Sequence, residues 1–180
     1  MNMEAQRQAV TLFDFGAGGA APWSPQDDGV MGGRSRSQFR VAGGLGVFEG
    51  YVSLENNGGF CSVRSPAGDF RLGGFDGIEL RLRGDGKRYG FNLRAGGGWG
   101  FNRARYERYF ETQAGVWQQI VLPFDQLLPT VMGTIVGPAG ADARRVAQFG
   151  FIIQHKQAGR FRLEIESIRA VRGGVDYWVV

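Results

Sequence analysis

Histidine and cysteine are almost missing from this 180-residue chain, which has one of each, His155 and Cys61. A single cysteine excludes an internal disulfide and any metal site built from several thiolates. A Ser–His–Asp or Cys–His device would have to use His155, and nothing in the spacing brings Cys61 or a serine to it. Cys61 lies in an apolar stretch and reads as an inert buried thiol. His155, next to Lys156, reads as a surface or loop residue at a strand end. Lysine is scarce too: of 21 basic residues only Lys87 and Lys156 are lysine, the rest arginine. The net charge of +4 is spread among acids, as in Glu79-Leu-Arg81-Leu-Arg83, and forms no basic stripe, which argues against nucleic acid as a partner. No run approaches the roughly twenty apolar residues of a membrane span. The N-terminal Met-Asn-Met-Glu-Ala-Gln-Arg has no apolar secretory core. Together these absences predict a soluble, cytoplasmic chain with no direct membrane insertion. Apolar residues at sustained helical spacing are absent as well, which leaves strands to build the core.

Glycine is what the chain has in excess. Its 31 glycines far exceed the average usage of about 7% and follow no Gly-X-Y period, so they belong to turns between many short strands. Hydrophobic content of 43%, with 13% aromatics, fits one folded domain with a full core. Residues 1–9 are polar and read as a flexible segment, with the single domain over 10–180. Alternation is clearest where Ile78, Leu80 and Leu82 interleave with Glu79, Arg81 and Arg83, giving one buried and one wet face. The same pattern places strands over 10–15, 37–41, 47–54, 60–65, 89–95, 105–112, 116–123, 148–155 and 160–171. Asn56-Asn-Gly-Gly59 predicts a hairpin turn, and Gly84-Asp-Gly-Lys87 a second one. Residues 105–112 and 116–123 read as another antiparallel pair, 124–132 as holding one helical turn, and 133–143 as the longest loop. Phe161, Leu163 and Ile165 alternate, but Ile168 and Ala170 follow out of phase, which predicts a β-bulge near Ser167. Short strands and frequent turns make an antiparallel sandwich or barrel.

The stretch from Trp23 to Ser35 organises the rest. Gly29, Gly32 and Gly33 permit backbone angles that side chains forbid, so this is a tight loop rather than a linker. It either aims N–H groups and the Asp27 and Asp28 carboxylates at a ligand, or is a buried corner whose carboxylate ties down its own backbone. Four ordered blocks then carry a family likeness: Asp28-Gly-Val-Met-Gly-Gly-Arg-Ser35, Asn56-Asn-Gly-Gly-Phe-Cys-Ser-Val-Arg64, 75–89 and 159–168. With these the chain resembles the complex I intermediate-associated protein 30 family from about Leu12 to Ala170. The resemblance implies an all-β, galactose-binding-domain-like jelly-roll β-sandwich, akin to carbohydrate-binding modules. For the mitochondrial relatives it also implies a chaperone role in assembling respiratory complex I. With no Arg/Ser-rich transit peptide, this chain looks like a bacterial, stand-alone member.

Three chemistries compete for the polar residues. A hydrolase needs two carboxylates about 5 to 9.5 Å apart; Asp28 and Asp85 sit on loops, each beside glycine in a turn sequence that also explains them. Asp27, Asp28, Asn56 and Asn57 offer oxygens to a calcium ion, but without EF-hand spacing they read as turn formers, so no metal or cofactor is expected. Binding fits best. Glu79, Arg81, Arg83, Asn92 and Arg94 are expected on one face of neighbouring strands, rimmed by Trp23, Tyr89 and Trp99, with Trp117 on a wet face. Arg64, Arg83 and Arg94 are suited to gripping a carboxylate or phosphate, with Asp85 positioning Arg83 or Arg88. Asp28, Met31 and Arg34 present the recognition loop, and Gly32 and Gly33 set its backbone. The expected partner is a protein client, such as a respiratory-complex subunit. The alternative is a carbohydrate or small polar ligand, and a weak hydrolase is the second alternative.

Overall fold

The computed structural model describes residues 8–18, 22–96 and 104–173. These form strands β1 Gln8–Asp14, β2 Ser24–Pro25, β3 Arg36–Ala42, β4 Leu45–Val52, β5 Cys61–Arg64, β6 Gly77–Arg83 and β7 Arg88–Ala95. After these come β8 Arg105–Glu111, β9 Trp117–Pro123, β10 Leu128–Val131, β11 Thr134–Ile135, β12 Val146–Ile153 and β13 Gly159–Arg172. One sheet runs β3-β4-β13-β6-β9, with β1 also beside β13; the other runs β11-β10-β8-β7-β12-β5-β2. Every strand pairing is antiparallel. Two stacked antiparallel sheets, with a chain that passes repeatedly from one to the other, make a jelly-roll sandwich of the galactose-binding-like kind.

Alternation reports correctly which side chains turn inward. Ile78, Leu80 and Leu82 from one sheet meet Phe91, Leu93, Phe149 and Phe151 from the other, all buried. Each such side chain contributes about 1.5–3 kcal/mol relative to exposure. One end of the core is aromatic: Trp23 stacks on Phe39 at 5.3 Å and on Phe151 at 5.8 Å, with Phe13 edge-on at 5.2 Å. β13 runs through the centre of its sheet, pairing first with β4 and then with β1 while β6 lies along its other side. Its register against β6 shifts between Ile165 and Ser167, the expected bulge, which keeps both Ile165 and Ile168 inward.

Pairing differs from the sequence expectation at three turns. β4 and β5 lie in different sheets, so the Asn56–Gly59 turn is an arch and not a hairpin, although Asn56 and Asn57 do adopt φ of 54° and 57°. The 84–87 turn likewise carries the chain from β6 in one sheet to β7 in the other, and 112–116 from β8 to β9. Glycine and asparagine supply a reversal in either case, and only the second sheet waiting opposite decides which form is taken. Tight hairpin geometry is found instead at Gly43 and Gly44, φ 60° and 75°, between β3 and β4. The helical turn expected after residue 124 is a single 3₁₀ turn at Phe124–Gln126.

Candidate functional site

The loop between Trp23 and β3 is a clamp. Asp28 is fully buried, and its carboxylate accepts hydrogen bonds from Ser35 N (3.0 Å), Ser35 Oγ (2.5 Å), Gly59 N (2.7 Å) and Phe60 N (3.3 Å). Burial opposes its ionisation, yet these donors prevail and hold the carboxyl below its ordinary value. Asp27 does the same for Ser37, through N at 2.7 Å and Oγ at 2.6 Å. Of the three loop glycines only Gly32 has positive φ, 85°. Gly33 is required for another reason: a Cβ there would lie 2.3 Å from Asp28 Oδ1. Gly29 has open space around its Cα and an ordinary φ. Asp28 therefore shapes the loop from inside, while Met31 is 60% exposed at its tip and the exposed Arg34 pairs with Glu55 at 3.3 Å.

Because β6 and β7 belong to different sheets, the single face expected to carry Glu79, Arg81, Arg83, Asn92 and Arg94 is two faces on opposite sides of the molecule. On the six-stranded sheet the outward side chains form an ion-pair ladder. Glu49 accepts from Arg40 (3.1 Å) and Arg162 (2.5 Å), and Glu164 from Arg162 (2.8 Å) and Arg83 (2.6 Å). Glu79 holds Arg169 at 3.1 Å. Burial works against ionising Glu164, but Arg162 and Arg83 outweigh it and keep the carboxyl below its usual range. Arg81 and Arg83 also cover Trp117, 5.4 and 4.9 Å from its ring centre, so that indole is on the outer face but capped. Arg83 is thus committed to Glu164. Asp85 positions neither Arg83 nor Arg88; it accepts from Tyr89 OH and Arg162 N, each at 2.9 Å, while Arg88 lies 3.5 Å from Glu111.

The outer face of the seven-stranded sheet is different. Arg94 on β7 lies directly opposite Arg105 on β8, and Arg64 on β5 lies across β12 from Asn92. The β12 residue between Arg64 and Asn92 is Gly150, whose missing side chain leaves the Asn92 amide lying over it. Arg105 Nε is 2.9 Å from Glu107 Oε2, an ion pair without hydrogen-bond alignment. Among the described residues neither Arg64 nor Arg94 faces a carboxylate, and Arg94 Nε is buried with no acceptor. Burial, then the nearby Arg94 and Arg105, push the Arg64 guanidinium down to about 10; burial and Arg105 lower Arg94. Two of the three arginines singled out from sequence therefore meet here, and the third does not. Arg105 and Glu107 were not singled out, although their outward parity on β8 is readable from Tyr106 and Phe110.

The expected aromatic rim is corrected. Trp23 and Tyr89 are 2% and 0% exposed, part of the core: Trp23 packs among Phe13, Phe39 and Phe151, and Tyr89 shares the inward parity of Phe91 and Leu93 on β7. Trp99 lies outside the described residues. Among the described residues the exposed aromatic that remains is Tyr51, 54% exposed, in an open groove of about 800 Å³ across the far end of the six-stranded sheet. Arg36, Gln38, Glu49, Asp85, Lys87, Arg160 and Arg162 line that groove with it. Cys61 is buried, and desolvation, then Asp27, push its thiol up. His155 packs edge-on against Tyr109 at 4.6 Å. Among the described residues no three His, Cys, Asp or Glu side chains cluster as metal ligands, and no helix is long and apolar enough to cross a membrane.

The fold recurs in known proteins. A family 11 carbohydrate-binding module from Clostridium thermocellum, solved with a beta-1,3-1,4-mixed-linked tetrasaccharide, matches with a TM-score of 0.69 at 14% identity, over 94% of this chain and 98% of that one. A family 29 carbohydrate-binding module matches with a TM-score of 0.53 at 13% identity, over 97% and 98%. By sequence, the mitochondrial complex I intermediate-associated protein 30 of Mus musculus is 26% identical over 168 residues, covering 81% of this chain. The chain spans about half of that relative, 51% of its length. The family model for complex I intermediate-associated protein 30 matches residues 13–165, from β1 into β13, and the chain therefore belongs to that family.

Proposed function

We propose that the chain is a non-catalytic binding module that holds a protein client on the outer face of its seven-stranded sheet. The observation that carries this reading is the contrast between the two outer faces. Arg40, Arg83, Arg162 and Arg169 each have a carboxylate partner, whereas Arg64 and Arg94 have none among the described residues. An arginine kept half-buried without a counter-charge is costly unless something else supplies it. The name of the mouse relative, an intermediate-associated protein of complex I, supports a protein client such as a respiratory-complex subunit. Against catalysis stand a buried Cys61, a His155 ring packed on Tyr109, and Asp28 and Asp85 carboxylates occupied by backbone donors.

The test is capture from a detergent extract by the immobilised chain at low salt. A discrete partner retained by the wild type and by Arg83→Gln, but lost from Arg64→Gln/Arg94→Gln, is the expected result. Retention by the double variant, or equal loss from Arg83→Gln, overturns the assignment of the face.

A second reading has its own observation. The Tyr51 groove combines an exposed ring with planar polar groups, the mixture sugar recognition uses. For that reading, retention on mixed-linked β-glucan should disappear in Tyr51→Ala; no retention of the wild type removes it.

A further inference from the structure

We infer that Arg64 and Arg94 form a two-point grip for a pair of carboxylates on an extended acidic segment of the client, a deepening that rests on the client reading above. The argument begins with the register. Arg94 and Arg105 are direct cross-strand partners, an arrangement of like charges that destabilises a sheet. Arg105 has Glu107 as an internal partner, so among the described residues the uncompensated half-buried charge on this face comes down to two guanidiniums. They stand on β5 and β7, with only β12 between them, and the β12 residue facing Arg64 is Gly150. No side chain on Gly150 separates Arg64 from the Asn92 amide.

Two features favour two monoanions over one compact dianion. Each guanidinium presents a planar fork that matches one carboxylate in bidentate fashion. The two lie two strands apart and two residues out of register, roughly 12 Å at the backbone, and side chains two residues apart on an extended peptide are spaced by roughly 7 Å, a gap two long arginines can close. A phosphate offers its oxygens from one centre, and Glu107 beside Arg105 repels additional negative charge on that flank. Asn92, 4% exposed and without a side-chain hydrogen bond among the described residues, adds an amide able to meet the peptide backbone or a carboxylate.

The probe is fluorescently labelled hexaglutamate, titrated with the full chain at low ionic strength and followed by polarisation, beside hexaglutamine, inorganic phosphate and trigalacturonate as competitors. Saturable binding of hexaglutamate and none of hexaglutamine is expected. Arg64→Gln and Arg94→Gln should each weaken it about tenfold, Arg83→Gln should not, and added salt should reduce it steeply. Thermal melts of the variants establish that each is folded. Absence of hexaglutamate binding, or binding indifferent to both variants, overturns the inference. Displacement by trigalacturonate or phosphate at far lower concentration than by unlabelled hexaglutamate also overturns it, in favour of a glycan or phosphate ligand. If client capture still depends on Arg64 and Arg94 while hexaglutamate fails, the client reading stands and the acidic segment falls.

Discussion

Asp28 and Gly33 are a matched pair: the carboxylate occupies the space that any side chain at 33 would need. Gly33→Ala should therefore cost about 1–3 kcal/mol through overpacking. Gly32→Ala, with open space but φ of 85°, should cost only about 1 kcal/mol of backbone strain. Urea midpoints at constant m-value distinguish the two. The loop was legible as a tight corner from its glycines, but which glycine does what was not, because close approach to a residue five positions earlier leaves no mark in composition. A pH prediction follows from the same carboxylate. Its folded-state pKa is depressed, so its contribution is fully present above the unfolded value, near 4, and is lost as pH falls through the folded one. Between about pH 5 and 3 the wild type should lose stability more steeply than Asp28→Asn. Parallel acid limbs would contradict this.

At the level of strands, alternation gave the inward face of nearly every element, and the slip at Ser167 located the bulge. Partners were less legible. Gly84-Asp-Gly-Lys87 has hairpin composition, yet the chain there crosses between sheets, and that crossing sends Arg83 and Arg94 to opposite sides. Arg64 and Arg94 could be recognised as outward cations, but their proximity depends on β12 returning between β5 and β7 from more than fifty residues away. The ladder on the six-stranded sheet makes its own prediction. Glu164, with a side chain 12% exposed, serves two arginines, so Glu164→Gln should destabilise by about 1–3 kcal/mol. Glu111, 75% exposed opposite Arg88, should cost less than about 0.5 kcal/mol in the same substitution. Equal shifts in melting temperature would show that burial of the ladder is immaterial.

Taken whole, the molecule is a sandwich with unlike outer faces: on one, Arg83 and Arg162 are tied to the sheltered Glu164, while on the other the half-buried Arg64 and Arg94 have no carboxylate among the described residues. The net charge of +4 is thus not evenly consumed, a fact that composition hides and sheet assignment reveals. A protein that leaves arginines half-buried and unmatched trades stability for recognition, so removing one should help the free chain while harming binding. The most direct test is the thermal melt of Arg94→Gln without any ligand. Relief of a like-charge cross-strand pair is worth about 0.2–1 kcal/mol, so the melting temperature should rise by roughly 1–3 °C at low ionic strength, and the gain should shrink as salt is added. A fall of the same size would mean that Arg94 is a structural member of the sheet, and would contradict the claim that this face waits for a partner.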